Sequence, residues 1–269
     1  MSSERPVRTP IEIDPALLAA HPELAVLTLD LPDSDGEPME NEREQFQMLL
    51  LRDSLMQHWR GRQDFYVAGN MFVYYSAAQA RQILAEEAEP ARPRRAFRGP
   101  DLFVVLNVDG SFRRQKWVMW DEEGHYPDVI FEFLSPLTRR TDQTTKKTLY
   151  EQIFKTREYY WYDPFDPHEF QGWHLDPDNG YQAMTPAARG WLWSPALHLW
   201  IGRWEGTYHR DPATWLRFYD PHGRLVLTSQ ETAEAAQQRA EAAEQRAAAA
   251  EAELARLQAE LARLRGEQH

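Results

Sequence analysis

The 269-residue chain contains no cysteine. That excludes a disulfide scaffold, a thiolate metal site, an iron–sulfur centre and a cysteine nucleophile. No stretch approaches the roughly 18–20 consecutive apolar residues that a membrane helix needs. The first residues, Met1-Ser-Ser-Glu-Arg-Pro6, lack the apolar core of a secretory leader. The protein is therefore expected to be cytoplasmic, with no membrane partner. There is no glycine-rich phosphate loop, and Ser135 is not set in a nucleophile elbow. His174, His198 and His209 are scattered and lack metal-ligand spacing, so they read as surface or satisfied core residues. Positive charge is scarce: 30 Lys and Arg face 42 Asp and Glu, for a net charge of −12. Such a chain repels phosphate at long range, which counts against nucleic acid as a partner.

Apolar and aromatic residues, by contrast, are plentiful. Hydrophobic residues make up 42% of the chain and aromatics 12%, with 10 Trp. That is too much apolar surface for general disorder, and the length suits one large domain or two small ones. Residues 1–40 hold Pro and acidic residues without a clear period and read as an N-terminal arm, with a short helix and a strand expected between Ile11 and Leu31. Residues 41–59 have helical spacing, with Asn41 as N-cap and Glu44 three residues on. Residues 64–75 read as a strand interrupted at Gly69-Asn70, and 76–89 as a short helix. Residues 90–100 form a basic, Pro-rich loop. Apolar runs at 101–108 and 127–134 read as buried strands separated by a polar excursion over 109–126. Residues 142–156 read as a helix with Leu149 and Ile153 on one face, 158–162 as a third strand, and 165–228 as Trp-rich short strands and turns.

The tail, 229–269, is of another kind. With Leu254 at position a of a heptad, positions a and d are Ala233, Ala236, Ala240, Ala243, Ala247, Ala250, Leu254, Leu257, Leu261 and Leu264. Ten apolar residues in register predict a coiled coil, with a homodimer as the default and a higher homo-oligomer left open. A solitary Ala-rich helix is the alternative. Because alanine seams bury little area, most of the association energy is expected at the leucine end.

Three residue types attract chemical interest. Glu132 sits inside the apolar run Ile-Phe-Glu-Phe-Leu, where an unpaired carboxylate is costly and needs a cation, a proton or a donor. Asp101 opens the preceding run. If the two strands are neighbours, both carboxylates reach one point and make a hard oxygen site suited to Mg²⁺ or Mn²⁺. Lys146 or Lys147 in the next helix would supply a cation. Blander readings stay open: Asp101 as a turn residue after Pro100, Glu132 paired with Arg139 or Arg140, and the lysines on a solvated helix face.

Six segments in order resemble the Uma2 family, formerly a domain of unknown function, within the PD-(D/E)XK nuclease superfamily. They are Phe65-Tyr-Val-Ala-Gly-Asn-Met-Phe-Val-Tyr-Tyr75, Arg98-Gly-Pro-Asp-Leu-Phe-Val-Val105, Pro127-Asp-Val-Ile-Phe-Glu-Phe-Leu-Ser-Pro136, Thr138-Arg-Arg-Thr-Asp142, Lys146-Lys-Thr-Leu-Tyr150 and Glu158-Tyr-Tyr-Trp-Tyr-Asp-Pro164. The resemblance spans roughly residues 40–220 and implies an α/β (α+β) fold, a restriction-endonuclease-like mixed sheet flanked by helices, over a domain at 41–228. It implies that Asp101 matches the first acidic residue of the motif and Glu132 the second, the two holding the metal. The usual lysine position, two after Glu132, is Leu134 here. In Uma2-like chains the lysine stands in the following helix, four residues after an Asp, which favours Lys146 over Lys147. Glu44 matches an auxiliary acidic position. Asp128 lies four residues, roughly 13 Å, from Glu132 along one strand and is not expected to share its metal.

Residues 90–160 hold thirteen Lys and Arg against ten Asp and Glu, a local excess of three in an acidic chain. Arg92-Pro-Arg-Arg95, Arg98, Arg113-Arg114, Lys116 and Arg139-Arg140 are expected to offer a positive rim to a phosphate backbone; a mixed surface with no ligand is the other reading. Three functions compete. The first is a metal-dependent endonuclease cutting DNA with a Mg²⁺-activated water. The second is a catalytically inactive nuclease-fold scaffold that oligomerises through its tail. The third is a two-carboxylate glycan enzyme, suggested by the Trp-rich region, although Trp at strand positions usually serves packing.

Overall fold

The structure, a computed structural model, describes residues 13–33, 41–89, 97, 99–135 and 139–266. The expected basic groups at Arg92, Arg94, Arg95 and Arg98 lie outside the described residues. The chain divides into two compact units, 1–226 and 227–269.

In the first unit the described part of the arm, 13–33, holds helix α1 (Pro15–Ala20) and a 3₁₀ turn (Pro22–Thr28). The strand expected before Leu31 is not found there. Pro15 and Pro22 each open a helical turn, a position for which their fixed φ is suited. The buried residues Val26 and Leu31 pin the arm, and the Tyr74 hydroxyl donates to the Pro32 carbonyl at 2.6 Å.

Helix α2 (Glu42–His58) starts where the sequence signals it. The Asn41 side chain accepts from the Arg43 N–H at 2.9 Å, and Glu42 and Glu44 meet the positive end of the helix. Strands β1 (Phe65–Gly69) and β2 (Val73–Tyr74) follow, separated by Asn70 at φ 48°. Asn tolerates this left-handed backbone better than most residues, so the Gly-Asn interruption ends one strand and redirects the next. Next come α3 (Ala77–Ala88), β3 (Leu102–Leu106), β4 (Trp117–Val118) and β5 (Val129–Phe133). The helical run 139–154, here α4, alternates two short α segments with two π turns, Asp142–Lys146 and Tyr150–Phe154. Strands β6 (Glu158–Tyr162), β7 (Phe170–Asp176), β8 (Gly180–Ala183), β9 (Leu192–Ser194), β10 (Leu199–Tyr208) and β11 (Asp211–Tyr219) complete the unit.

A six-stranded sheet runs β1-β3-β5-β6-β7-β8. Every neighbouring pair in it is antiparallel except β5 with β6. The strands β3 and β5 are buried on both faces, which is why they read as unbroken apolar runs. One face carries Leu102, Val104, Phe131 and Phe133 against α2 and the β11-β10-β9 sheet. The other carries Phe103, Val105 and Ile130 against Tyr150 and Phe154 of α4. Gln47 of α2 joins the layers as a strand would: its amide donates to the Leu216 carbonyl at 3.0 Å and accepts from the Leu216 N–H at 2.8 Å. The architecture is a mixed α+β fold with flanking helices.

Two expectations need correction. The 109–126 excursion is not wholly polar. It contains β4, paired in parallel with β2, and the buried residues Trp117, Val118 and Met119. Its anchor is the buried ion pair of Arg114 with Glu122, at 2.7 and 3.0 Å. Of the two residues expected on the inward face of α4, Leu149 is partly buried against the core whereas Ile153 is 50% exposed. Asp142, Tyr150 and Phe154 are buried instead.

The second unit is helix α5 (Ser229–Gly266), 38 residues long. Leu254 and Leu257 are exposed on it. Among the described residues no helix is long and apolar enough to cross a membrane.

Candidate active site

The antiparallel register of β3 and β5 pairs Leu102 with Phe131 and Phe103 with Ile130. Carried one step further, it sets Asp101 opposite Glu132. Side chains alternate along a strand, so both carboxylates fall on the face of Phe103 and Ile130, beneath α4. Asp101 is tied down by the Phe133 N–H, which donates to Oδ2 at 2.6 Å. The Asp101 and Glu132 carboxyls are close enough to repel, and Asp101 pushes Glu132 toward its protonated form.

Helix α4 supplies the rest. Lys146 Nζ lies 2.9 Å from Glu132 Oε2 and 2.8 Å from Asp142 Oδ1. The Tyr150 hydroxyl donates to Glu132 Oε1, and the Tyr159 hydroxyl donates to the Asp142 carbonyl at 3.0 Å. Asp142, Lys146, Tyr150 and Phe154 thus point one way at a spacing of four. An α-helix turns about 100° per residue, so a spacing of four drifts by about 40° each time. The wider π turns wind less per residue and offset that drift, which keeps the row straight.

Glu132 is fully buried, while the Lys146 side chain keeps 18% exposure. Solvent or a ligand therefore meets the cluster at the lysine. Burial pushes the Glu132 carboxyl well above its ordinary range; Asp101 and Asp142 push the same way, against Lys146 and the Tyr150 hydrogen bond. Burial also raises Asp101, opposed by Lys146 and the Phe133 N–H. For Lys146 burial alone would depress the ammonium, but Glu132, Asp101 and Asp142 outweigh it and hold the group charged, above the usual lysine value. Three carboxyls and one ammonium leave excess negative charge at this point, and the Asp142 Oδ2 atom is buried with no hydrogen-bond partner among the described residues.

Among the sequence candidates, Asp101, Glu132 and Lys146 meet, whereas Lys147 turns away and lays its ammonium 4.2 Å from the centroid of the Trp173 ring. Glu44 is buried on α2, which packs against the opposite face of the sheet. Glu132 pairs with Lys146, while Arg139 pairs with Asp163 and lies 3.5 Å from Glu169. Asp128 is engaged elsewhere: its Oδ2 accepts from the Leu106 N–H at 2.7 Å and its Oδ1 faces Arg157 at 3.1 Å. Asp142, four residues before Lys146, and Tyr150, one turn after it, join the cluster where the family resemblance sets them in sequence. The signal for them is the repeat of four from Asp142 through Lys146 to Tyr150.

The donor chemistry suits a hard divalent ion. All the available ligand atoms are oxygens, the site has surplus negative charge, and a dication would compete with protons for the two carboxyls. Among the described residues no group of three or more His, Cys, Asp or Glu forms a metal cage. Mg²⁺ does not need one, since it keeps several waters and commonly takes one or two carboxylates together with substrate phosphate.

Comparison with known proteins gives three findings. The family model described as "Uma2: Putative restriction endonuclease" matches residues 37–204. A solved structure described as a putative nuclease belonging to DUF820 from Anabaena variabilis is similar over 63% of this chain and 88% of that one, at 12% identity and a TM-score of 0.41. No curated protein matches.

Proposed function

The chain belongs to the Uma2 family, whose description is "Putative restriction endonuclease", and from that premise we propose that it is a metal-dependent endonuclease hydrolysing DNA phosphodiester bonds at Asp101, Glu132 and Lys146. The observation that carries this reading is the junction of two strand carboxylates and a helix lysine, 2.9 Å from Glu132, at one solvent-facing point. Asp101 and Glu132 would hold Mg²⁺ or Mn²⁺. When bound, the ion would lower the pKa of a water and offset charge on the phosphoryl oxygens.

The chain's own residues do the rest. Lys146 is held as an ammonium by three carboxyls, so it serves as a cation and not as a base. It is placed to stabilise negative charge developing on the phosphate and to orient the attacking water. Asp142 keeps it charged and aimed, and Tyr150 fixes the rotamer of Glu132 through Oε1. In the reaction the water oxygen bonds to phosphorus, the bond from phosphorus to the leaving sugar oxygen breaks, and that oxygen takes up a proton. The glycan alternative fits less well, because Trp173 and Trp215 of the Trp-rich region that suggested it are buried and serve packing. Self-association through α5 belongs to the same proposal, with the exposed Leu254 and Leu257 as contact points; it would bring two sites to one duplex.

The test is conversion of supercoiled plasmid to nicked or linear forms. Wild type is expected to cut in Mg²⁺ or Mn²⁺ and to stop in EDTA, and Asp101→Asn is expected to lose at least about a hundredfold in rate. A protein that leaves plasmid intact with either ion would favour the scaffold reading.

A further inference from the structure

Among the described residues, strand β1 is the edge of the six-stranded sheet, paired on one side only with β3. A groove of about 1070 Å³ runs along it, bounded by α2, the turn after α2 and the 110–114 segment. That is at the upper limit of the roughly 300–1,000 Å³ of small-molecule clefts, which suits an extended occupant. Its lining includes Arg52, Arg60, Arg62, Arg113 and Arg114 and no acidic residue, although the chain as a whole carries −12. Two of these arginines are occupied: Arg62 pairs with Asp64 at 2.9 Å and Arg114 with Glu122 at 2.7 Å. Arg52, Arg60 and Arg113 are exposed and have no ion pair among the described residues.

The groove also has a direction. Gly69 and Met71 line it. The intervening Asn70 donates its N–H to the Asp101 carbonyl at 2.9 Å, and a Cβ built on Gly69 would stand 3.3 Å from that same oxygen. The Gly69–Met71 end of the groove therefore lies beside the backbone of Asp101, where β3 begins.

We propose that this groove holds the phosphate backbone of a nucleic-acid strand and guides it to the carboxylate cluster, with Arg52, Arg60 and Arg113 as its phosphate contacts. The proposal rests on the nuclease reading of the cluster and locates its substrate. It also answers the objection from net charge: the acidity of the chain is spread elsewhere, and attraction is confined to one acid-free track. Recognition here is of backbone charge and not of base sequence, because the larger rings at the groove are already covered. Arg62 lies 4.4 Å from the centroid of the Trp59 ring, and Arg114 lies 4.8 Å from that of Tyr66.

Fluorescence anisotropy of a short labelled DNA duplex, titrated with the full chain in EDTA over a range of salt, tests this. Each phosphate contact contributes about 0.9 to the slope of log affinity against log salt. The triple variant Arg52→Gln/Arg60→Gln/Arg113→Gln is expected to bind at least about tenfold more weakly, with a slope shallower by about 2–3. The triple Arg→Lys variant, which keeps the charge, is expected to stay near wild type, and Glu132→Gln is expected to bind no worse than wild type. Unchanged affinity and slope in the Gln variant would overturn the proposal, as would a wild type that binds no duplex. A poly-glutamate peptide that binds where DNA does not would assign the edge to an acidic protein strand instead. The nuclease reading is judged separately by plasmid cleavage: cutting with an unaffected Gln variant removes only the groove, and groove-dependent binding without cutting removes only the chemistry.

Discussion

Glu132 is the residue on which the account turns, and its burial has a measurable consequence. Its carboxyl is raised well above the ordinary value of 4.5. Between the ordinary and the raised value the folded chain holds a proton that the unfolded chain has lost, so stability falls as pH rises through that window and stays reduced above it. Glu132→Gln removes the ionisation while keeping the shape, and Lys146 retains Asp142 as a partner. The variant is therefore expected to be more stable than wild type near pH 8. In a domain of this size each 1 kcal/mol gained raises Tm by about 2–4 °C, and the gap should close toward about pH 4. Thermal unfolding followed by circular dichroism at both ends of the range reads this; a variant less stable than wild type near pH 8 would refute the electrostatic account. Loss of activity with gain of stability is the pattern expected where a fold carries strain for its chemistry.

At the scale of elements, what could be read from sequence followed from how strictly each pattern is forced. Asp101 and Glu132 stood out because a carboxylate beside or within an apolar run has few harmless explanations, and strand alternation then put them on one face. Helix α2 was legible from Asn41 and its acidic first turn. The inward face of α4 was legible in part: the resemblance set Asp142, Lys146 and Tyr150 one turn apart, but regular α winding put Ile153 inward where the π turn buries Phe154. Strand β4 was missed because two residues are too short for a period, and its burial depends on the distant Arg114–Glu122 pair and on β2. The tail helix α5 raises a different question. Its seam is alanine over most of its length, so association should depend on the leucine end. Leu254→Glu/Leu257→Glu in the full chain is expected to convert an oligomer to a monomer in sedimentation velocity with the fold of the first unit unchanged. Wild type that sediments as a monomer would leave the tail a solitary helix.

At the scale of the whole molecule, net charge was the least informative quantity. A total of −12 argues against a nucleic-acid partner, yet three arginines with no ion pair among the described residues lie along one sheet edge and the negative charge at the cluster faces a lysine. Charge acts within about 10 Å at 0.1 M salt, so its placement by the sheet order matters more than its sum. The order β1-β3-β5-β6 sets the arginine-lined edge beside β3 and the carboxylates on β3 and β5. None of that order is visible in a linear sequence, because it depends on which runs pair. The claim that joins these scales is that Asp101 and Glu132 form one seat for a divalent ion. Electron paramagnetic resonance of free Mn²⁺ titrated with the protein measures this without reference to activity. Wild type should remove one Mn²⁺ per chain from solution, more strongly at higher pH because burial raises both carboxyls and the ion competes with protons for them, and Asp101→Asn/Glu132→Gln should remove none. Equal Mn²⁺ uptake by wild type and the double variant would contradict the account.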